Sequence, residues 1–71
     1  MAISYNKLWK ILIDKKMKKT ELKSAAHISS NVLAKLGRDE PVSIDSLEKI
    51  CVVLGCDIGD IMEIQKGNNI L

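Results

Sequence analysis

Hydrophobic residues recur at intervals of three and four along most of the chain, the spacing that places side chains on one face of an α-helix. No segment sustains the alternation of apolar and polar residues that is typical of a β-strand. The pattern therefore predicts an all-α domain that spans residues 1–71. Its helices are expected near residues 5–16, 18–26, 29–36, 44–54 and 58–64.

The same spacing predicts which side chains face the core. The expected inward residues are Leu8, Ile11 and Leu12, widened by Trp9 and Ile13, in the first helix; Leu22, Ala25 and Ala26 in the second; Val32, Leu33 and Leu36 in the third; Leu47, Ile50, Cys51 and Leu54 in the fourth; and Ile58, Ile61 and Met62 in the fifth.

Short polar residues and glycines mark the predicted helix ends. Ser29 and Ser43 precede the third and fourth helices, where a hydroxyl oxygen can accept a hydrogen bond from a free backbone N–H. Gly37 and Gly55 follow the same two helices and are expected to end them, Gly37 with a positive φ.

The composition is that of one small globular domain, with 71 residues of which 46% are hydrophobic. No apolar run is long enough to cross a membrane and no secretory leader is visible, so a cytoplasmic protein is expected. Cys51 and Cys56 are interpreted as small apolar residues in a reducing compartment. Because His27 is the single histidine, no metal or other cofactor is predicted, and no small-molecule ligand is evident.

Charge is divided unevenly between the two halves of the chain. Residues 1–38 carry nine basic and two acidic side chains, a net charge of +7, which leaves −5 for the remainder. A basic half suggests a polyanionic partner such as nucleic acid, although basic runs are also common on ordinary solvated faces.

The third predicted helix has an unusual polar face. Its core side is apolar, whereas the opposite side carries Ser30, Asn31, Ala34 and Lys35 without a single carboxylate. A second short helix precedes it across a turn of about three residues, which is the helix-turn-helix arrangement that places the second helix in the major groove of DNA. The alternative is an ordinary solvated face.

Each residue of that face suits a base-pair edge. Asn31 offers a paired donor and acceptor to adenine, and Lys35 offers a cation to guanine or phosphate. Ala34 permits close approach and contact with a thymine methyl, while Ser30 can bond to a base or to the backbone. These four residues are the predicted base contacts.

The chain resembles the DNA-binding domains of the phage lambda repressor and Cro superfamily, also called the XRE family. The resemblance covers the stretch MKKTELKSAAHISSNVLAKLGRDEPVSIDSLEKICVVLGCDIGDIMEI. The resemblance is carried by Leu22, Ile28, Ser29, Leu33 and Leu36, and by VSIDSLEKICVVLG and CDIGDIMEI after them. It implies a compact five-helix bundle, sequence-specific binding to double-stranded DNA, and a homodimer on a palindromic operator.

The chain departs from the family pattern at three places. His27 stands where the family commonly has glycine, so a left-handed conformation there is either lost or mildly strained. Gly37 stands where a glutamate often follows the third helix, so a hydrogen bond that braces the next loop is expected to be missing. Lys18 and Lys19 replace a threonine and a glutamine, which would make binding more dependent on salt.

The predicted contacts with DNA phosphates are Lys18, Lys19, Ser29 and Arg38. The two lysines oppose the dipole of the second helix, a small cost that is better explained if phosphate lies there. Arg38 is either a phosphate contact or an ion-pair partner of Asp39 and Glu40.

Surplus apolar residues in the second half suggest a homodimer. Val52 and Val53 point away from the predicted core stripe, and Ile64, Ile70 and Leu71 continue beyond it. Ile64, Ile70 and Leu71, with Val53 as a lesser candidate, are the predicted interface; the alternative is a monomer whose valines pack under the tail.

An enzyme is not expected, because the sequence shows no nucleophile paired with a base and no glycine-rich phosphate loop. The predicted function is a DNA-binding transcriptional regulator, a repressor that uses residues 29–36 to read the major groove. The alternative is a non-catalytic protein-interaction module, such as an antitoxin, an antirepressor or an adaptor.

Overall fold

The computed structural model describes residues 2–65. Its elements, in chain order, are strand β1 (Ala2–Ser4), helices α1 (Asn6–Asp14), α2 (Lys19–Ala26), α3 (Ser30–Gly37), α4 (Ile44–Leu54) and α5 (Ile58–Ile61), and strand β2 (Glu63–Gln65). The predicted all-α bundle of five helices is confirmed, and the two strands are a minor addition to it. None of the helices in this part of the chain has the length and apolar character needed to cross a membrane.

The two strands form a small antiparallel sheet that joins opposite ends of the described chain. Ile3 pairs with Ile64, flanked by the pairs Ala2–Gln65 and Ser4–Glu63. The two short strands were not predicted, and the expected extension of the fifth helix to residue 64 was wrong. Helix α5 ends at Ile61 because Met62 is extended (φ −146°, ψ 162°) and leads the chain into pairing with β1.

The core contains most of the residues that the spacing predicted. Its fully or nearly fully buried apolar side chains are Tyr5, Leu8, Leu12, Leu22, Ala26, Ile28, Leu36, Leu47, Ile50, Leu54 and Ile61. Three predicted core residues lie elsewhere. Ile13 and Ala25 are exposed, and Leu33 is only half-buried and does not pack against this cluster.

Hydroxyl caps begin the helices where they were predicted. The Oγ of Ser29 accepts a hydrogen bond from the Val32 N–H at 3.1 Å, and the Oγ of Ser43 accepts one from the Ser46 N–H at 3.1 Å. Gly55 ends α4 as predicted, with a left-handed conformation (φ 67°).

Two other helix ends differ from the prediction. Gly37 is still helical, and Asp39 takes the left-handed position instead (φ 56°), with the Glu40 N–H donating to the Lys35 carbonyl oxygen at 2.9 Å. Helix α1 ends at Asp14 because Lys16 is left-handed (φ 56°) and turns the chain before residue 17. Neither position is a glycine, so local sequence does not mark them.

Tyr5 braces the loop between α3 and α4. Its backbone N–H donates to Asp39 Oδ1 at 3.1 Å, and its hydroxyl donates to the Glu40 carbonyl oxygen at 2.9 Å. The side chain is fully buried. Gly37 has no side chain to make the hydrogen bond that a glutamate often makes there in the family, and Tyr5 braces the loop in its place.

Burial raises the pKa of the Tyr5 hydroxyl above its ordinary value of 10.0, and the negative charge of Asp39 raises it further. The unfolded chain therefore loses this proton at a lower pH than the folded protein does. The resulting stability is fully present below pH 10 and is lost as the pH rises through the raised pKa.

We therefore expect a Tyr5→Phe variant to be less stable at neutral pH by about 0.5–1.5 kcal/mol, the contribution of one hydrogen bond. The difference in the free energy of unfolding between wild type and variant should shrink above pH 10. Urea unfolding followed by circular dichroism at pH 7 and at several alkaline pH values checks both expectations. A difference that stays constant across this range would contradict the role of the hydroxyl proton.

Candidate nucleic-acid interface

Helices α2 and α3 are joined by a turn of three residues, His27, Ile28 and Ser29. His27 holds the left-handed conformation (φ 55°, ψ 41°) that the turn needs, although it is not a glycine. Ile28 is buried and its N–H donates to the Lys23 carbonyl oxygen at 3.2 Å. The buried isoleucine and the cap at Ser29 fix the direction in which α3 leaves the turn.

Helix α3 presents the predicted polar face to solvent. Leu36 is fully buried and Val32 half-buried on its inner side, whereas Ser30, Asn31 and Ala34 are exposed. Lys35 is half-buried, and a lysine can cover apolar surface with its stem while its ammonium group stays in solvent. The structure thus brings all four predicted base-contacting residues onto one helix with a free outer surface.

Three of the four predicted phosphate contacts lie at the starts of α2 and α3, and Arg38 follows the end of α3. Lys18 is the residue immediately before α2, and its backbone N–H donates to Glu21 Oε1 at 2.8 Å. Lys19 is the first residue of α2, with its Nζ 4.4 Å from the ring centroid of Trp9. The Oγ of Ser29 is occupied as an acceptor by its helix cap, so toward a phosphate this hydroxyl can only donate its proton.

Arg38 forms an ion pair that competes with its predicted phosphate contact. Its Nε donates to Glu40 Oε2 at 2.9 Å, and its second contact, from Nη2 to Oε1, measures 3.5 Å. Both side chains are exposed, so this pair contributes little to stability and can open. The structure therefore shows the ion-pair alternative, and a phosphate contact by Arg38 requires the arginine to leave Glu40.

The predicted dimer residues differ in how far they are exposed to solvent. Ile64 is 51% exposed in β2, as an interface residue should be. Val53 is half-buried and packs against the core, which corrects the prediction that it points away, because α4 is covered on that side. Val52, which was also predicted to point away from the core, is 77% exposed. Ile70 and Leu71 lie outside the described residues.

Sequence reasoning missed two features next to this interface. Tyr5 braces the loop that follows α3, but its partners Asp39 and Glu40 lie more than thirty residues away and no local pattern connects them. The contact between the Lys19 ammonium and the Trp9 ring was also not predicted.

Comparisons with known proteins agree with this geometry. The crystal structure of the transcriptional regulator VanUg, form II, is similar to the chain with a TM-score of 0.85 and 55% sequence identity, covering 87% of this chain and 83% of that one. A comparison with curated proteins finds no significant match. The profile of the Cro/C1-type HTH DNA-binding domain matches residues 7–67. The chain therefore belongs to the family of Cro/C1-type helix-turn-helix DNA-binding domains, a family of DNA-binding regulators and not a class of enzymes.

Proposed function

We propose that this protein is a transcriptional repressor that binds a palindromic operator as a homodimer and reads the major groove with α3. The observation that carries the proposal is the outer face of α3, which is exposed, polar and free of carboxylates. Repression is the simplest consequence, because a compact protein bound at a promoter blocks access by RNA polymerase. The proposal includes a cytoplasmic location, where the protein can reach the chromosome.

The base contacts are assigned to Ser30, Asn31, Ala34 and Lys35. They lie in the first two turns of α3, the part of a recognition helix that enters the groove. Asn31 pairs with adenine through its amide, and Lys35 donates to guanine or to a nearby phosphate. Ala34 lets the helix approach closely enough for both contacts.

Phosphate contacts are assigned to Lys18, Lys19, Ser29 and Arg38. The first three lie at the N-termini of α2 and α3, where free backbone N–H groups also favour an anion. These contacts position α3 but do not depend on base sequence.

Selection of bound duplexes from a random pool tests the proposal. The expected result is a palindrome whose half-sites are centred about 10 base pairs apart, since two recognition helices related by a two-fold axis lie one helical turn apart. A reporter gene preceded by that sequence should be expressed less when the protein is present. Recovery of no preferred sequence, together with no salt-dependent binding to any duplex, would favour the protein-interaction module instead.

The salt dependence of binding gives a separate prediction for the phosphate contacts. On a plot of log affinity against log salt concentration, each cation that neutralises a phosphate contributes a slope of about one unit. Removing Lys18 and Lys19 together by substitution with alanine should therefore lower the slope by about two units. Arg38→Ala should lower it by less, because the arginine must first leave Glu40.

A lysine in the acidic half of the chain provides the control for that measurement. Lys49 is exposed on α4 and pairs with Asp45 at 3.4 Å, so Lys49→Ala should leave the slope unchanged. An equal reduction by Lys49→Ala, or none by the double variant, would mean that Lys18 and Lys19 only solvate the surface.

The proposed dimer uses Ile64 together with Ile70 and Leu71, with Val53 at most a minor participant because it already packs in the core. Ile64 lies on β2, in the C-terminal half that carries the negative charge. An interface there leaves the basic half of each protomer free for DNA.

We expect Ile64→Asp to convert a dimer at tens of micromolar into a monomer, because it places a charge in an apolar interface. Sedimentation velocity measures the change. The matched control is Ile44→Asp, since Ile44 is also exposed (67%) but lies at the start of α4. A monomeric wild type, or a dimer indifferent to Ile64→Asp, would contradict this interface.

A further inference from the structure

An apolar groove runs between α1 and the start of α2. Its wall consists of Trp9, Leu12, Ile13 and Met17, and its rim is formed by Lys18, Lys19 and Thr20. The groove encloses about 710 Å³, within the range of sites that hold small organic ligands.

Packing of the core accounts for Leu12, Trp9 and Met17, but it leaves the exposed Ile13 at the wall of this groove unexplained. Leu12 is buried and forms the floor, whereas Trp9 and Met17 are half-buried and Ile13 is 73% exposed. Single exposed apolar residues are common on protein surfaces, but adjoining apolar side chains that line one concave surface are typical of binding sites.

The charge around the groove specifies what it can hold. Within residues 2–65, both ionisable residues of the lining are lysines. The Glu21 carboxylate accepts a hydrogen bond from the Lys18 N–H at 2.8 Å and lies beside the rim, outside the lining itself. The Lys19 ammonium lies 4.4 Å from the centroid of the Trp9 ring, so a cation already stands over the apolar wall. A ligand with an apolar body and one anionic head can contact the apolar wall and pair with the lysines of the rim at the same time.

We propose that this groove is a binding site for a small amphipathic anion, a carboxylate or sulfonate on an apolar chain or ring system. The anionic head pairs with Lys18 and Lys19, and the apolar body lies along Trp9, Ile13 and Met17. The indole ring supplies a flat apolar surface and needs no rearrangement of the core, because it is already half exposed.

Occupancy of the groove is coupled to DNA through the two lysines, and this part of the inference rests on the proposed function. A ligand head and a DNA phosphate require the same ammonium groups, so each weakens the binding of the other by the same factor. The ligand would thereby release the protein from its operator, and the DNA-binding domain would sense the effector itself.

Fluorescence of Trp9 tests the site without DNA, because it is the single tryptophan of the chain. The full chain is titrated with decanoate below its micelle concentration, and in parallel with nonyltrimethylammonium, which has the same nine-carbon alkyl chain and the opposite charge. We expect a saturable change with decanoate and at least fivefold weaker binding of the cation. Lys18→Gln combined with Lys19→Gln should remove this preference.

A pair of matched variants locates the binding. Ile13→Ser removes apolar surface from the groove and should weaken decanoate binding about tenfold, whereas Val52→Ser changes an equally exposed valine on α4 and should have no effect. No saturable change with decanoate, equal binding of both probes, or equal effects of the two variants would each overturn the site.

A last titration separates this inference from the proposed function. Saturating decanoate should weaken binding of the selected operator by wild type, and a tenfold higher concentration should be needed for Ile13→Ser. Operator binding that is unchanged at saturation would overturn the coupling. Absence of DNA binding in the wild type would overturn the proposed function and leave the fluorescence result standing.

Discussion

Replacing Asn31 by alanine is expected to weaken binding of the proposed operator and to leave the fold intact. Asn31 is exposed on α3, so the substitution deletes the amide that is proposed to contact a base and disturbs no packing. One bidentate contact discriminates between bases by about 1–3 kcal/mol, which corresponds to an operator affinity about 5- to 150-fold lower. Competition binding assays with the operator and with unrelated duplexes measure this loss.

The control is Asn6→Ala, which makes the same chemical change on the exposed first turn of α1. It should alter neither the operator affinity nor the affinity for unrelated DNA. If Asn31→Ala weakens binding to every duplex equally, Asn31 contacts the backbone and does not read a base. A lowered melting temperature for Asn31→Ala would instead indicate a structural role.

The second large effect concerns the two leucines of α3. Leu36 is fully buried, and its replacement by alanine leaves a cavity that should cost about 2–5 kcal/mol of unfolding free energy. Leu33 is half-buried and stands apart from the core cluster, so Leu33→Ala should cost less than half as much. Urea unfolding at neutral pH gives both values.

These two variants differ only in position along one helix, so each is the control for the other. Equal losses would mean that Leu33 belongs to the core after all, as its spacing predicted. A small loss for Leu36→Ala would contradict the close packing of α3 against the other helices.

The features that could be predicted are those that depend on neighbours in sequence. Helix α4 has the predicted bounds, because Ser43 caps its start and Gly55 supplies the left-handed residue at its end. The turn before α3 and the cap at Ser29 follow from the same local chemistry. The polar face of α3 could also be predicted, because the helical period places its apolar and polar residues on opposite sides.

The features that were missed depend on contacts between distant segments. A strand of three residues is too short to show an alternating pattern, and β1 and β2 exist because they pair with each other across the length of the chain. The left-handed residues Lys16 and Asp39 are set by the turns around them and carry no glycine signal. Leu33 has the right spacing for the core, but within residues 2–65 it does not pack against the core cluster.

The small sheet closes the described chain into a ring without a covalent bond, since Ala2 and Gln65 are partners from its two ends. Such distant pairing forms late in folding and, being only three residues long, opens readily. Tyr5 follows β1 directly and holds the loop after α3 through Asp39 and Glu40. The order of the loop after α3 is therefore expected to depend on the pairing of β1 with β2.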